Sequence, residues 1–170
     1  VTSRNVIENR PFPHDVAAGK PLPVNTPEQI RALAASGVEI GAHTRTHPNL
    51  ARVSSRRQLW EEIVNSGKEL SELTGKPVRY FAFPFGKPEN LTPDAFRIAF
   101  DAGYEGVVTA YGGYNFPGED DFHLQRIHAD SELIRLKNWL TYDPRKAAMV
   151  RRYEYGRPTK RASHELLEAV

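Results

Sequence analysis

The sequence predicts an α/β fold in which parallel strands are covered by helices, as an α/β barrel or an open sheet. Three observations carry this. Short apolar runs alternate with amphipathic ones along most of the chain. Two of the amphipathic runs share one capping pattern, Thr-Pro-acid at the start and Gly at the end. Three strand-like runs each follow a helix-ending glycine by only a few residues.

The paired helices are "NTPEQIRALAASG" (Asn25 to Gly37) and "LTPDAFRIAFDAG" (Leu91 to Gly103). Thr26 and Thr92 suit the N-cap, where a hydroxyl accepts from an orphan backbone N–H. Pro27 and Pro93 suit the first helical position, which needs no N–H. Glu28 and Asp94 complement the positive helix start. Gly37 and Gly103 suit a left-handed C-terminal cap. A longer helix is expected from Ser55 to Thr74, closed by Gly75, with Leu59, Ile63, Leu70 and Leu73 near a 3.6-residue rhythm. Another is expected from Ser131 to Leu140, with Leu133, Leu136 and Leu140 on one face.

The strand candidates are "VEIGA" (Val38 to Ala42), "VRYFAF" (Val78 to Phe83), "GVVTA" (Gly106 to Ala110) and, more weakly patterned, "FHLQRI" (Phe122 to Ile127). "VTS" at the start reads as the tail of a further strand. Two loops, Glu8 to Asn25 and Tyr111 to Asp121, are long and rich in Pro, Gly or Asn, as functional loops often are. Beyond Asp143 the periodicity fades into a basic stretch, read as a tail that packs on the domain or leads elsewhere. The organisation expected is therefore a domain over residues 1–142 and a basic tail over 143–170.

Bulk composition narrows the function classes. With 170 residues, 39% hydrophobic and 26% charged, the chain suits one compact domain. No apolar run approaches the roughly 20 residues of a membrane span. The net charge of +2 is too small to argue for nucleic acid. Cysteine is absent, so thiolate metal sites and a cysteine nucleophile are excluded. The chain begins at Val1 with neither a signal core nor a helix start, and reads as a processed product or a piece of a larger domain.

The chemistry centres on "GVEIGAHTRTHPNL". His43 and His47 are four apart, but Pro48 disfavours a helix there. They lie in a turn after a strand, and ligands of α/β folds gather at strand C-termini. Two imidazoles suit a divalent metal, zinc foremost, and a catalytic site needs about three protein ligands. The competing reading packs His43 under the loop and leaves His47 in solvent.

"EIGAHTRTHPNL" also resembles the second motif of the polysaccharide deacetylases, carbohydrate esterase family four, His-Ser/Thr-x-x-His-Pro after a strand. "YFAFPFG" (Tyr80 to Gly86) resembles the family's third motif, and "TGKPVRYFAFPFG" resembles the exopolysaccharide branch. "HLQRIHAD" (His123 to Asp130) stands where the family has its last motif. The resemblance covers Val1 to Leu140. It implies a distorted (β/α) barrel, here incomplete because the first strand is missing, and a metal-dependent hydrolase that removes N-acetyl groups from an N-acetylglucosamine-type polysaccharide or oligosaccharide.

By this resemblance His43 and His47 are metal ligands, Thr44 shapes their loop, and the Phe85 N–H helps hold the oxyanion in a turn shaped by Pro84 and Gly86. His128 becomes a candidate general acid. The family's first motif, Thr-Phe-Asp-Asp-Gly, source of the base and the third ligand, is not in the chain. Ala82 stands where the family often has an arginine, and Arg126 is a candidate for that cation. Asp15, Glu39 and Asp130 are the nearby acids, with Glu39 sharing the strand parity of His43 and so able to point inward. Little catalysis is expected of these residues alone, and an open strand edge would favour edge-to-edge oligomers. Tyr111, Tyr114 and Phe116 are candidates for stacking on sugar rings.

The family's habit favours an extracytoplasmic or membrane-associated setting. Two other functions compete: a catalytically dead carbohydrate-binding barrel, and a basic module acting through Arg145 to Arg161.

Overall fold

The computed structural model describes residues 1–127, 131–149 and 152–160. His128, Asp130, Arg151 and Arg161 lie outside the described residues. The order is α1 (Ser3–Ile7), α2 (Pro13–Ala17), α3 (Pro27–Ala35), α4 (Arg56–Thr74), β1 (Tyr80–Ala82), α5 (Pro93–Asp101), β2 (Gly106–Thr109), β3 (His123–Gln125), α6 (Leu133–Leu140) and α7 (Pro144–Met149). Single 3₁₀ turns lie at Leu50–Arg52 and Pro88–Asn90.

The three strands form one parallel sheet in the order β1-β2-β3. Mixed α/β content with a parallel sheet agrees with the fold class read from the alternating pattern. "VEIGA" does not form the expected strand. Only Ala42 pairs with the sheet, as a parallel bridge to Phe81. Its other neighbour is Val1, whose carbonyl accepts from the His43 N–H at 2.9 Å. Val1 is thus extended, while Ser3 already opens α1.

Capping explains the helices. In α3 the Thr26 hydroxyl accepts from the Gln29 N–H and the Gln29 side chain accepts from the Thr26 N–H, a reciprocal box. Ser55 caps α4, and Gly75 ends it at φ 67°. Thr92 precedes α5 in extended backbone but makes no side-chain cap bond. Neither α1 nor α2 was anticipated, because five residues are too short to show a period.

The sheet has unequal faces. Phe81, Val107 and His123 are register partners and all are buried. Phe83, two residues beyond Phe81, joins that face and packs on Phe96 of α5 at 4.8 Å between ring centroids. The adjacent row, Ala82, Val108 and Leu124, is only half-buried. Helices α4 and α5 therefore cover one side of the sheet and leave the other partly open.

Two local features depart from the sequence expectation. Leu133 and Leu140 of α6 are exposed, and the helix turns Leu136 and Trp139 inward instead. The Trp139 ring lies so close to Gly112 that a Cβ there would stand 3.1 Å from it. Past α7 the chain returns to the core, where Tyr155 stacks on Phe96 at 4.1 Å and Tyr153 at 5.7 Å.

Gly67, in the middle of α4, is required by packing. A Cβ there would lie 2.3 Å from the Tyr104 hydroxyl, which donates to the Ile63 carbonyl at 2.8 Å. Gly67→Ala gains about 1 kcal/mol of helix propensity. Overpacking against a hydrogen-bonded, buried ring costs about 1–3 kcal/mol. The variant is expected to unfold at lower denaturant, and an unchanged or raised midpoint would refute the contact.

His123 gives a second test. Burial pushes its pKa down to about 4, and the Arg152 charge lowers it further against an opposing effect of Asp120. Between about pH 6.5 and 4 the unfolded chain therefore binds more protons than the folded one. Stability should be full above that window and fall as the pH drops through it. Melting temperatures across pH 4–8 should show the loss, and His123→Phe should shallow it. An equal slope in the variant would sink the assignment.

Candidate functional site

The site sits at the C-terminal end of the sheet, where Ala42 ends its bridge and the chain turns. Ala42 donates to the Tyr80 carbonyl at 2.8 Å and accepts from the Ala82 N–H at 2.7 Å. The next residue, His43, donates through Nδ1 to the Ala82 carbonyl at 2.7 Å. This bond leaves Nε2 as the free lone pair, the arrangement of a metal-ligating histidine with a carbonyl behind it.

His47 returns to meet it. Thr44, buried and at φ 63°, accepts from the His47 N–H at 2.9 Å. His47 itself stands at φ 62°. These two left-handed residues fold the turn back on itself, and the two Nε2 atoms come within 3.1 Å of each other. Two nitrogens on one zinc at ~2.05 Å with near-tetrahedral angles would be about 3.1–3.4 Å apart. The pair therefore fits two positions of a metal centre.

Both imidazoles are held neutral, the form a metal needs. Burial drives the His43 pKa down to about 4, with the His47 and Arg126 charges adding to it. Burial also lowers His47, as does the neighbouring His14. Among the described residues no group of three or more His, Asp or Glu side chains is arranged to hold a metal.

Helix α4 clamps the turn from outside. Glu62 accepts from the backbone N–H of Arg45 and of Thr46, each at 2.9 Å, and from the Thr46 hydroxyl at 2.7 Å. Glu69 accepts from Arg45 at 2.7 Å and from the Ser3 hydroxyl at 2.5 Å. These carboxylates read in the sequence as the polar face of a helix, and nothing there singled them out. Phe12 and His14, from the long loop, also went unremarked. Their rings lie 5.1 and 5.4 Å from that of His47.

Phe85 faces the pair from the next turn. Its ring meets His47 edge-on at 5.0 Å, and its backbone is left-handed at φ 60°. Its N–H has no partner among the described residues. Gly86 locks this turn to β2: its carbonyl accepts from the Ala110 N–H at 2.8 Å, and a Cβ on it would stand 2.7 Å from that same nitrogen.

The remaining candidates are distributed around this centre. Arg126 donates through Nε to the Thr109 carbonyl at 3.0 Å, and its charge reaches His43. Asp15 follows His14 on α2, 3.5 Å from the His14 ring, and its charge acts on His47. Glu39 does not point inward. It is exposed and paired with Arg79 at 2.7 Å, because residues 38–41 lack the strand pairing that would have set its parity. Tyr111 is half-buried, with its hydroxyl 3.1 Å from His123 Nε2 and accepting from the Tyr153 N–H. Tyr114 and Phe116 cluster with Tyr142 at 5.2 and 6.0 Å. His128 and Asp130 fall outside the described residues.

Known proteins share this fold. No curated protein matches the chain significantly. Among solved structures, the Streptococcus pyogenes deacetylase PplD, determined in complex with acetate, aligns with a TM-score of 0.65 at 19% identity, covering 84% of this chain and 57% of that one. A de-N-acetylase from Aggregatibacter actinomycetemcomitans aligns at 0.61 and 20% identity, covering 81% and 62%. IcaB from Ammonifex degensii aligns at 0.57 and 26% identity, covering 74% and 52%. The chain thus spans little more than half the length of these structures. The family described as polysaccharide deacetylase matches residues 1–107, well over half of the chain, including both histidines and the Phe-Pro-Phe-Gly turn. The chain belongs to the polysaccharide deacetylase family.

Proposed function

We propose that the chain is the core of a metal-dependent hydrolase that removes N-acetyl groups from an N-acetylglucosamine-type polysaccharide or oligosaccharide. The observation that carries this is the His43–His47 pair, Nε2 to Nε2 at 3.1 Å, facing a turn whose Phe85 N–H is unpaired among the described residues.

The two imidazoles would hold a divalent ion, Zn²⁺ by preference for nitrogen donors. Bound there, the ion supplies Lewis-acid polarisation of the amide carbonyl and activates water at neutral pH. The Phe85 N–H donates to the oxyanion as the carbonyl carbon becomes tetrahedral. Arg126 is the candidate for the site's cation, its charge reaching His43. His128 protonates the leaving amine. Tyr114 and Phe116 offer ring faces to the sugar, while Tyr111 supports their loop from beneath.

We extend the same reading to the fold and setting. The parallel sheet, with its half-buried row Ala82, Val108 and Leu124, supports a distorted (β/α) barrel, since parallel sheets are normally covered on both faces. Residues 1–142 are taken as the catalytic domain and 143–170 as a segment packed on it. Open strand edges favour edge-to-edge oligomers. No helix among the described residues is long and apolar enough to cross a membrane. An extracytoplasmic setting is the family's expectation. With two histidine ligands and no third grouped with them among the described residues, these residues alone should bind metal weakly and turn over slowly. A second reading, a carbohydrate-binding barrel without catalysis, is favoured by the lack of a three-ligand group among the described residues.

Calorimetric titration with zinc tests the metal centre. One ion per chain is expected, with affinity reduced roughly tenfold or more in His43→Ala and in His47→Ala. Unaltered affinity in both variants would remove the centre.

Acetate release from an N-acetylglucosamine oligomer tests the chemistry. Any release should require added zinc and fall about 10²-fold in Gly86→Ala, which displaces the Phe85 donor while both histidines remain. Zinc binding with no acetate release would favour the binding-only barrel.

A further inference from the structure

The two imidazoles of the candidate site are aimed by different means. His43 is fixed by a hydrogen bond, its Nδ1 donating to the Ala82 carbonyl at 2.7 Å. His47 has no counterpart to that bond. Among the described residues its ring nitrogens bond no carbonyl or carboxylate of another residue, and Nε2 meets the His43 ring. Two phenyl rings stand against it instead. Phe12 meets it edge-on at 5.1 Å and 65°, and Phe85 at 5.0 Å and 66°. Edge-to-face contacts of this kind favour one mutual angle of the two rings.

Phe85 comes from the turn after β1. Phe12 comes from the long loop, and its backbone is closely constrained. Pro11 and Pro13 flank it, and a residue before proline is held extended. Phe12 accordingly stands at φ −67° and ψ 137°, as the N-cap of α2. The loop before it is tied to α1. Asn5, 7% exposed, donates through Nδ2 to the Arg10 and Pro11 carbonyls at 2.9 and 3.3 Å. Its own carbonyl accepts from the Arg10 N–H at 2.8 Å. Helix α1 is tied in turn to the histidine turn, where the Ser3 and Arg4 N–H groups donate to the Thr44 and Arg45 carbonyls at 3.2 and 3.1 Å. The circuit closes on itself: bonds run from the histidine turn through α1 and Asn5 to the Phe12 loop, and the Phe12 ring returns to His47. The His14 ring stacks on Phe12 at 5.4 Å and steadies it.

We propose that Phe12 is a positioning residue for the metal centre, holding the His47 imidazole at the angle that brings its Nε2 beside that of His43. The role rests on the metal reading above. Phe12 does by packing for His47 what the Ala82 carbonyl does by hydrogen bonding for His43. An imidazole free among its rotamers would lose that freedom when the ion arrives, at a cost in affinity. With Phe12 in place the ring is ordered beforehand. Asn5 acts one step further back, by anchoring the loop that carries Phe12.

Calorimetric titration of the full chain with zinc is the test. Phe12→Leu keeps the apolar bulk but removes the ring edge, and should weaken zinc binding about threefold to tenfold, the scale of one aromatic pair. Phe12→Tyr should keep the wild-type affinity. In a His47→Ala background Phe12→Leu should change nothing, because Phe12 acts only through that imidazole. Wild-type affinity in Phe12→Leu overturns the role and leaves the metal centre standing. So does an equal loss in Phe12→Tyr or in the His47→Ala background, since either marks a general effect on the fold. A wild-type chain that binds no zinc overturns the metal reading and this role with it.

Discussion

One peptide unit ties the sheet to the chemistry. The Ala82 N–H donates to Ala42, and the Ala82 carbonyl accepts from the His43 ring. The first bond holds the histidine turn to the sheet, and the second sets the tautomer of a buried imidazole. A shift in β1 by one residue would lose both at once, since the period of the strand is two. The aromatic packing of Phe81 and Phe83 against the helices matters for function because it holds that peptide in place.

Strain and clamp balance around this anchor. In the histidine turn Thr44 and His47 both stand in the left-handed region, at a cost of about 1–3 kcal/mol each. Against this, Glu62 accepts three hydrogen bonds from the turn, and bonds to a charged group are worth about 1.5–3 kcal/mol each. The two quantities are of the same size, so α4 is able to hold a turn that its own residues would not choose. The strain is useful because it aims two imidazoles and one amide N–H at the same space.

Those relations mark where the sequence was legible. Capping residues act locally, so Thr26 and Gly75 announced their helix ends correctly. The histidine turn was legible because Pro48 excludes a helix. Glu62 and Glu69 were not, because a carboxylate that accepts from a distant backbone looks like any other on a solvated helix face. Glu39 was misplaced for a related reason: its parity argument assumed a strand, and only Ala42 pairs. In α6 the apolar spacing named Leu133 and Leu140 as the inner face, but the open space above Gly112 draws in Trp139 instead.

The basic stretch after Asp143 shows the same limit and bears on function. By composition it suggested an arm for acidic polymers. In the structure Arg145 pairs with Asp143, Arg152 with Glu119, and Arg157 with Asp120 and Asp121. A cation already matched by a carboxylate releases few counterions on meeting a polyanion, so Arg145, Arg152 and Arg157 add little to such binding. The pairings do something else. Together with Tyr153 and Tyr155 on Phe96, they pin the segment beneath the Gly-rich loop. That loop carries Tyr114 and Phe116 and ends at the acids Glu119, Asp120 and Asp121, which Arg152 and Arg157 hold. Arg152 and Arg157 are thus the fastenings of an aromatic wall.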